Sequence, residues 1–131
     1  MNREWLKVKE FHQAFSVPAG DKPARLPADR VTKRFAWMKE ELDEFASADS
    51  VEDQTDAMID LIYLALGTLV EMGVKPERLF QIVHEANMSK LWADGKVHVR
   101  DSDGKVIKPP HWRDPQPRIR QELERQLLEK D

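Results

Sequence analysis

The chain has 131 residues, of which 40% are hydrophobic and 34% charged, a length that suits one domain with a single core. It carries 21 Lys and Arg against 24 Asp and Glu, and this net charge of −3 excludes the basic excess of a dedicated nucleic-acid-binding protein. No cysteine is present, which excludes disulfide scaffolds, thiol nucleophiles and zinc fingers. Because no apolar run has the length of a signal peptide or membrane span, we expect a cytoplasmic protein without nucleic-acid or membrane partners.

Two helices are predicted in the first part of the chain. The first covers about residues 3–15, where apolar side chains recur at helical spacing: Trp5, Val8, Phe11 or His12, and Phe15. A loop rich in Pro and Gly follows. Pro27 then suits the first position of a second helix, which we expect to run to about residue 46.

Two more helices are predicted in the middle of the chain. Ser50 with Asp53 three residues later has the spacing of a capping box, and a third helix runs from there to Gly73, a typical C-terminal stop. Pro76 begins a fourth helix that reaches to about Trp92. The third helix is apolar nearly all round, so we expect it to be central in the fold or covered by a second subunit.

The last part of the chain combines a turn, a linker and a charged helix. Two short β-prone runs, residues 96–100 and 105–108, flank Asp-Ser-Asp-Gly and predict a small hairpin or ordered loop. Several prolines follow, and a fifth helix is predicted at about residues 117–129. We therefore expect a single all-α domain over residues 1–131: an antiparallel four-helix-bundle-like core, the hairpin or loop, and a peripheral C-terminal helix over residues 115–131.

Acidic residues crowd into the second and third helices. Residues 40–60 hold nine acids and no Lys or Arg. Helical spacing gives the second helix an apolar stripe, which we expect to be core: Phe35, Met38, Leu42 and Phe45. Beside it runs a polar stripe: Arg34, Trp37, Glu41 and Glu44. The third helix has one row formed by Asp53, Asp56, Asp60, Tyr63 and Gly67.

The short loop between these helices makes them antiparallel neighbours, so their carboxylates can converge on one site. Oxygen ligands favour hard cations, which indicates Mg²⁺ or Mn²⁺. Asp60 lies between Ile59 and Leu61 in the most apolar part of the chain, where an ionised carboxylate needs a cation or strong donors. Because protein-bound Mg²⁺ often completes its shell with phosphates, Arg34 and Lys90 are candidate phosphate partners.

At these residues the chain resembles the MazG-like all-α nucleoside triphosphate pyrophosphatases, in the phosphoribosyl-ATP pyrophosphohydrolase-like branch. Glu40-Glu41-Leu42-Asp43-Glu44 matches the EExxE half of the family signature, and Asp53-Gln54-Thr55-Asp56 best matches its ExxD half, with Asp for Glu. Further likeness covers residues 8–12, 56–74, 87–90 and 103–109. The resemblance extends over roughly residues 6–115.

The resemblance implies Mg²⁺-dependent hydrolysis of a nucleoside triphosphate to the monophosphate and pyrophosphate, by a homodimer or dimer-based tetramer. By motif position Glu41 and Glu44 would be metal ligands with Asp53 and Asp56 opposite, and Asp60 a further inner carboxylate. Glu40 would be a ligand, an outer partner or a residue that orients water. The shorter Asp53 and the short gap after Glu44 leave Asp56 and Asp60 as an alternative ExxD pair.

The remaining candidates would hold the nucleoside or activate water. Either Glu41 or Glu44 is a candidate to take the proton of the attacking water. His12, Trp37 and Asn87 are candidate nucleoside contacts. Each has a structural alternative: His12 at the edge of the core, Trp37 in the core or an interface, and Asn87 on the helix surface or as a cap.

Two other functions compete with this hypothesis. The first is a non-catalytic helical-bundle dimer that binds a nucleotide or protein partner. The second is hydrolysis of phosphoribosyl-ATP, which would use the same site chemistry.

Overall fold

The computed structural model describes residues 1–110 and 112–130, which contain five helices: α1 (Asn2–Ala14), α2 (Ala28–Ser47), α3 (Val51–Met72), α4 (Glu77–Met88) and α5 (Gln116–Leu128). Within these ranges the β-structure is one isolated antiparallel bridge between Val99 and Val106. The predicted all-α class is confirmed, each of the five predicted helices is present, and the bridge lies in the predicted hairpin.

Local signals explain where α3 begins and ends. The Ser50 hydroxyl accepts a hydrogen bond from the Asp53 amide at 3.1 Å and caps the first turn. Gly73 ends the helix with φ of 69°, the left-handed conformation that glycine adopts without strain. These two residues fix the helix at the bounds that the sequence predicts.

Two predicted helix ends are corrected. Pro27 is the N-cap of α2 rather than its first residue, because its ψ of 151° is extended. The fourth helix ends at Met88 rather than near Trp92. There the amides of Lys90 and Leu91 bond to carbonyls only three residues back, and this tighter turning ends the α-helix.

The chain divides into an N-terminal unit, Met1–Pro76 with Glu129 and Lys130, and a C-terminal unit, Glu77–Leu128. In the N-terminal unit α3 packs against both α1 and α2, as expected of a central helix. Its core joins Trp5 and Val8 of α1 to Leu66 and Val70 of α3. α2 also reaches the second half of α3, where Arg34 bonds to Leu64 and Thr68.

The apolar stripe of α2 is not core, contrary to the prediction. Phe35 is 64% exposed, Leu42 50% and Phe45 41%, while Met38 is half-buried. On α3, Ile59 is 57% exposed. Helical spacing identifies a face that needs covering, but in this chain α2 instead packs on α3 through the neighbouring stripe that carries Arg34.

In the C-terminal unit α4 packs against α5. An ion pair joins Arg118 to Glu85 at 2.6 Å, and the Trp112 indole N–H donates to the Ala86 carbonyl at 2.8 Å. Among the described residues, no single helix is long and apolar enough to cross a membrane, although α3 and α4 together would pass on length and composition.

Candidate active site

The carboxylates of α2 and α3 meet at the end of the helix pair where residues 48–50 connect the two helices. A cleft of about 290 Å³ opens there, and we call it the acid cleft; its lining residues are Glu44, Ser47, Ala48, Asp49, Asp53 and Asp56. The structure therefore brings Glu44 of the EExxE segment together with both aspartates of the predicted ExxD segment.

Glu41 lies one turn before Glu44 and belongs to the same electrostatic group. Burial raises the pKa of the Glu41 carboxyl, and hydrogen bonding to Glu44 together with the charges of Glu44, Asp60 and Asp56 raises it further. Its Oε2 atom is buried and has no hydrogen-bond partner among the described residues. A buried carboxylate oxygen without a donor is unfavourable, so this position suits a bound cation.

Asp60 extends the group by one more turn of α3. Its carboxyl pKa is raised, first by burial and then by the charges of Asp56 and Glu44. Asp56 thus acts on both Glu41 and Asp60, and it is the aspartate that the two alternative ExxD pairs share.

No protein cation offsets these acids. In the described part of the chain, none of Glu41, Glu44, Asp53, Asp56 and Asp60 has a Lys, Arg or His within ion-pair distance. Nor do any three of the described acidic or histidine side chains already surround one point as metal ligands would. The absence of a basic partner follows from the sequence, which has no Lys or Arg between residues 40 and 60. Repulsion between uncompensated carboxylates opposes their gathering around one point, and a bound cation would remove it.

The remaining acid of the EExxE segment, Glu40, has an exposed side chain on α2. Its predicted role as a ligand, outer partner or water-orienting residue stays a prediction. By contrast, Asp43 points to the solvent and pairs with Lys39 at 2.9 Å on the same helix. Asp43 is therefore separable from the acid cleft by mutation.

Arg34 has a different role from the predicted phosphate contact. Its guanidinium is buried and bonds to the Thr68 hydroxyl at 3.1 Å, the Leu64 carbonyl at 2.9 Å and the Glu71 carboxylate at 3.2 Å. Burial lowers its pKa, partly offset by the Glu71 charge. These partners lie in the second half of α3, so Arg34 holds the helices together and is not free for a phosphate.

Glu71 and Arg30 are not among the site residues predicted from the sequence. Arg30 forms two parallel hydrogen bonds of 2.8 Å with the Glu71 carboxylate, which is almost completely buried. The signal was present in the sequence, because Glu71 lies four residues after Gly67 and continues the acidic row of α3. Gly67 is needed there: a Cβ atom would lie 2.9 Å from His12 Nε2 and closer still to the Arg34 guanidinium.

Of the three candidate nucleoside contacts, two lie in the N-terminal unit. His12 is 2% exposed, and its Nδ1 is 2.8 Å from the Pro18 carbonyl, so the core-edge alternative describes it. The Trp37 ring is partly exposed and packs beneath the Arg30 and Arg34 guanidiniums. It remains available at the surface, and its predicted contact with the nucleoside stays a prediction.

Asn87, the third candidate nucleoside contact, and Lys90, a candidate phosphate contact, lie in the C-terminal unit. Asn87 is exposed near the end of α4, and its carbonyl accepts the Lys90 amide. The Lys90 ammonium lies 5.7 Å from the centre of the Trp112 ring and has no carboxylate partner among the described residues. Both side chains remain free to contact a ligand.

The fold and the site together define a class: an all-α protein in which two antiparallel helices present uncompensated carboxylates to one cleft. Comparison with known families identifies the class. The profile of the family described as phosphoribosyl-ATP pyrophosphohydrolase matches residues 8–87, and the chain belongs to this family.

A solved structure agrees with this assignment. The crystal structure of a provisionally assigned NTP pyrophosphohydrolase from Exiguobacterium sp. 255-15 is 32% identical, with a TM-score of 0.52, over 94% of this chain and 95% of that one. No curated protein sequence matches the chain. The protein is therefore a hydrolase that acts on nucleotide pyrophosphate bonds, and the non-catalytic alternative is set aside.

Proposed function

We propose that the protein hydrolyses nucleoside triphosphates, ribo or deoxy, to the monophosphate and pyrophosphate, and that it requires Mg²⁺ or, in its place, Mn²⁺. The observation that carries this proposal is the group of carboxylates at the acid cleft. Glu41 combines a raised pKa with a buried oxygen that has no hydrogen-bond partner among the described residues. Within the same residues, no Lys, Arg or His pairs with Glu41 or with its acidic neighbours. A group of carboxylates without a counter-charge is destabilising, and a bound metal ion would supply that counter-charge.

The residues fit the metal. Glu41, Glu44, Asp53, Asp56 and Asp60 offer only oxygen atoms, the donors that Mg²⁺ and Mn²⁺ prefer. When bound, such an ion supplies charge stabilisation for the phosphate oxygens and lowers the pKa of water. The carboxylates of α2 and α3 would hold it from opposite sides of the acid cleft.

The chain itself supplies the other parts of the reaction. Glu41 or Glu44 would accept the proton of the attacking water. Glu40 would orient that water from the edge of the cleft. Trp37 would contact the nucleoside, and no side-chain nucleophile is needed.

We also propose that the active form is a homodimer or a tetramer built from dimers. The exposed apolar stripe of α2 supports this, since Phe35 and Leu42 leave half or more of their surface in water and Ile59 of α3 adds to it. Burial of such side chains is worth about 1.5–3 kcal/mol each. A second copy of the chain would cover a stripe of this length.

The test is a screen for pyrophosphate release from common and modified nucleoside triphosphates with Mg²⁺. We expect release by the wild type and at least a 100-fold loss, about 2.7 kcal/mol in activation free energy, in the Glu41→Gln/Glu44→Gln variant. A matched control is Asp43→Asn, which removes an acid from the solvent side of the same helix and should keep near wild-type activity. Equal activity in the double variant would contradict the proposed site.

Phosphoribosyl-ATP is the second candidate substrate, because the description of the matched family names it. The same carboxylates would serve, since the bond to be broken is also a nucleotide pyrophosphate bond. Adding phosphoribosyl-ATP to the screen decides between the two: the substrate with the higher kcat/KM in the wild type is the one that the protein is built for.

A further inference from the structure

We propose that the C-terminal unit contains a second binding site, for a nucleoside monophosphate. The site is a pocket of about 640 Å³, which we call the indole pocket; its walls include Trp92, Trp112, Pro109, Pro110, Arg113 and Arg118. This volume is within the range of about 300–1,000 Å³ that is usual for small-molecule sites. The indole pocket shares no residue with the acid cleft.

The aromatic walls are held in place by hydrogen bonds. The Trp112 indole N–H donates to the Ala86 carbonyl at 2.8 Å, and the Trp92 indole N–H donates to the Ile107 carbonyl at 3.1 Å. The Trp92 ring also stacks on His98 with centroids 4.1 Å apart. Since both polar N–H groups are satisfied elsewhere, the rings present carbon surface to the pocket, as a planar aromatic ligand requires.

The charges around the indole pocket favour an anion. Of its two acids, Glu85 pairs with Arg118 at 2.6 Å, which lowers the Glu85 pKa. The Asp114 carboxylate accepts the Gln116 amide at 2.8 Å and keeps its negative charge, which Arg113 balances in number. Arg113 lines the pocket without a carboxylate partner among the described residues.

Two lysines beside the pocket make its surroundings positive overall. The Lys108 and Lys90 ammoniums lie 4.4 Å and 5.7 Å from the centre of the Trp112 ring. Neither has an acidic partner in the described ranges. A cation held only by an aromatic ring gains little at an exposed site, about 0.5–1 kcal/mol, so a phosphate would easily attract it.

An apolar aromatic pocket beside unpaired cations is suited to a ligand that joins a flat ring to a phosphate. Nucleoside monophosphates have this chemistry, and a hydrolase that acts on nucleotide pyrophosphate bonds works among nucleotides. A monophosphate has no polyphosphate chain for a metal to neutralise, and the described residues of the indole pocket include no carboxylate cluster that would hold a metal. The site would therefore bind ligand without Mg²⁺.

Isothermal titration calorimetry of the full chain with AMP, GMP, CMP and UMP in EDTA tests this directly. We expect at least one monophosphate to bind with a sub-millimolar Kd. In NMR spectra of the same mixture, it should shift the indole N–H resonances of Trp92 and Trp112. Arg113→Gln and Lys108→Gln should each weaken binding by about 10-fold, the loss of one charge-assisted contact. Both side chains lie at the surface, so these variants should fold.

Two controls locate the binding. Arg120→Gln removes an exposed cation of α5 outside the indole pocket and should change Kd less than twofold. Glu41→Gln/Glu44→Gln alters the acid cleft and should leave Kd unchanged. If binding is lost in that variant but kept in Arg113→Gln, the monophosphate binds at the acid cleft and the proposal is wrong.

The ligand chemistry is tested with fragments. The parent nucleoside and inorganic phosphate should each bind at least 10-fold more weakly than the monophosphate. Equal affinity for the nucleoside would show that the cations contribute nothing, and equal affinity for phosphate would show that the indoles contribute nothing. Either result, or the absence of binding by every monophosphate, overturns the proposal.

Discussion

The helix pair α2 and α3 carries acidic residues near both of its ends, and the two ends treat them in opposite ways. At one end the buried Glu71 carboxylate is held by Arg30 and Arg34. At the other end no Lys, Arg or His of residues 1–110 and 112–130 pairs with Glu41 or its acidic neighbours. A compensated carboxylate holds a fold together, whereas an uncompensated group costs stability and points to a ligand that the chain does not supply.

The largest expected effect is at the compensated end. Glu71→Leu leaves the Arg34 guanidinium buried without its counter-charge, and breaking a buried pair in this way costs about 3–5 kcal/mol. Urea unfolding monitored by circular dichroism would measure the loss. Asp43→Asn, which removes an exposed pair on the same helix, should cost less than about 0.5 kcal/mol. Similar values for the two variants would remove the distinction between the ends.

The second effect concerns the uncompensated end. Mg²⁺ at 100 times its Kd should raise the free energy of unfolding by about 2.7 kcal/mol, because it binds only when the carboxylates are brought together by the fold. Thermal unfolding with and without EDTA measures this difference. The Glu41→Gln/Glu44→Gln variant should lose most of it. Equal stabilisation of both proteins would place the metal elsewhere.

The smallest effect is a dependence on pH without metal. The raised pKa values of Glu41 and Asp60 mean that the folded state keeps protons that the unfolded state has lost. Their contribution is therefore most favourable below the unfolded values of about 4. It weakens as pH rises through the interval up to the raised values, and above them the loss is complete.

In EDTA, we expect the free energy of unfolding to fall less for Glu41→Gln than for the wild type as the pH rises from 4 to 7. Carboxylates with lowered pKa, such as Glu122 beside Arg125, act in the opposite sense but are common to both proteins. Denaturant unfolding at several pH values gives the comparison. Parallel stability curves would show that Glu41 does not titrate with a raised pKa.

Much of the fold could be predicted because its signals are local. Ser50 and Gly73 fixed the ends of α3, and helical spacing was enough to place Glu44, Asp53 and Asp56 on facing surfaces. A three-residue connection leaves two helices little choice but to pack as antiparallel neighbours, so the convergence of the acids follows from the sequence.

The partners of charged residues across the helix pair could not be predicted in the same way. Arg34 and Glu71 are far apart in the chain, and their contact depends on the register between α2 and α3, which periodicity alone does not give. The same limit explains the apolar stripe of α2. Spacing showed that Phe35 and Leu42 share a face, but not that α2 packs on α3 with a different one.

The short connection at residues 48–50 also has a consequence for folding kinetics. The acids of the cleft all lie between Glu41 and Asp60, and contacts so local in sequence cost little loop-closure entropy. We therefore expect repulsion between them to be present already in the folding transition state. A divalent cation that binds as the helical hairpin closes would accelerate folding, whereas one that binds only afterwards would slow unfolding alone.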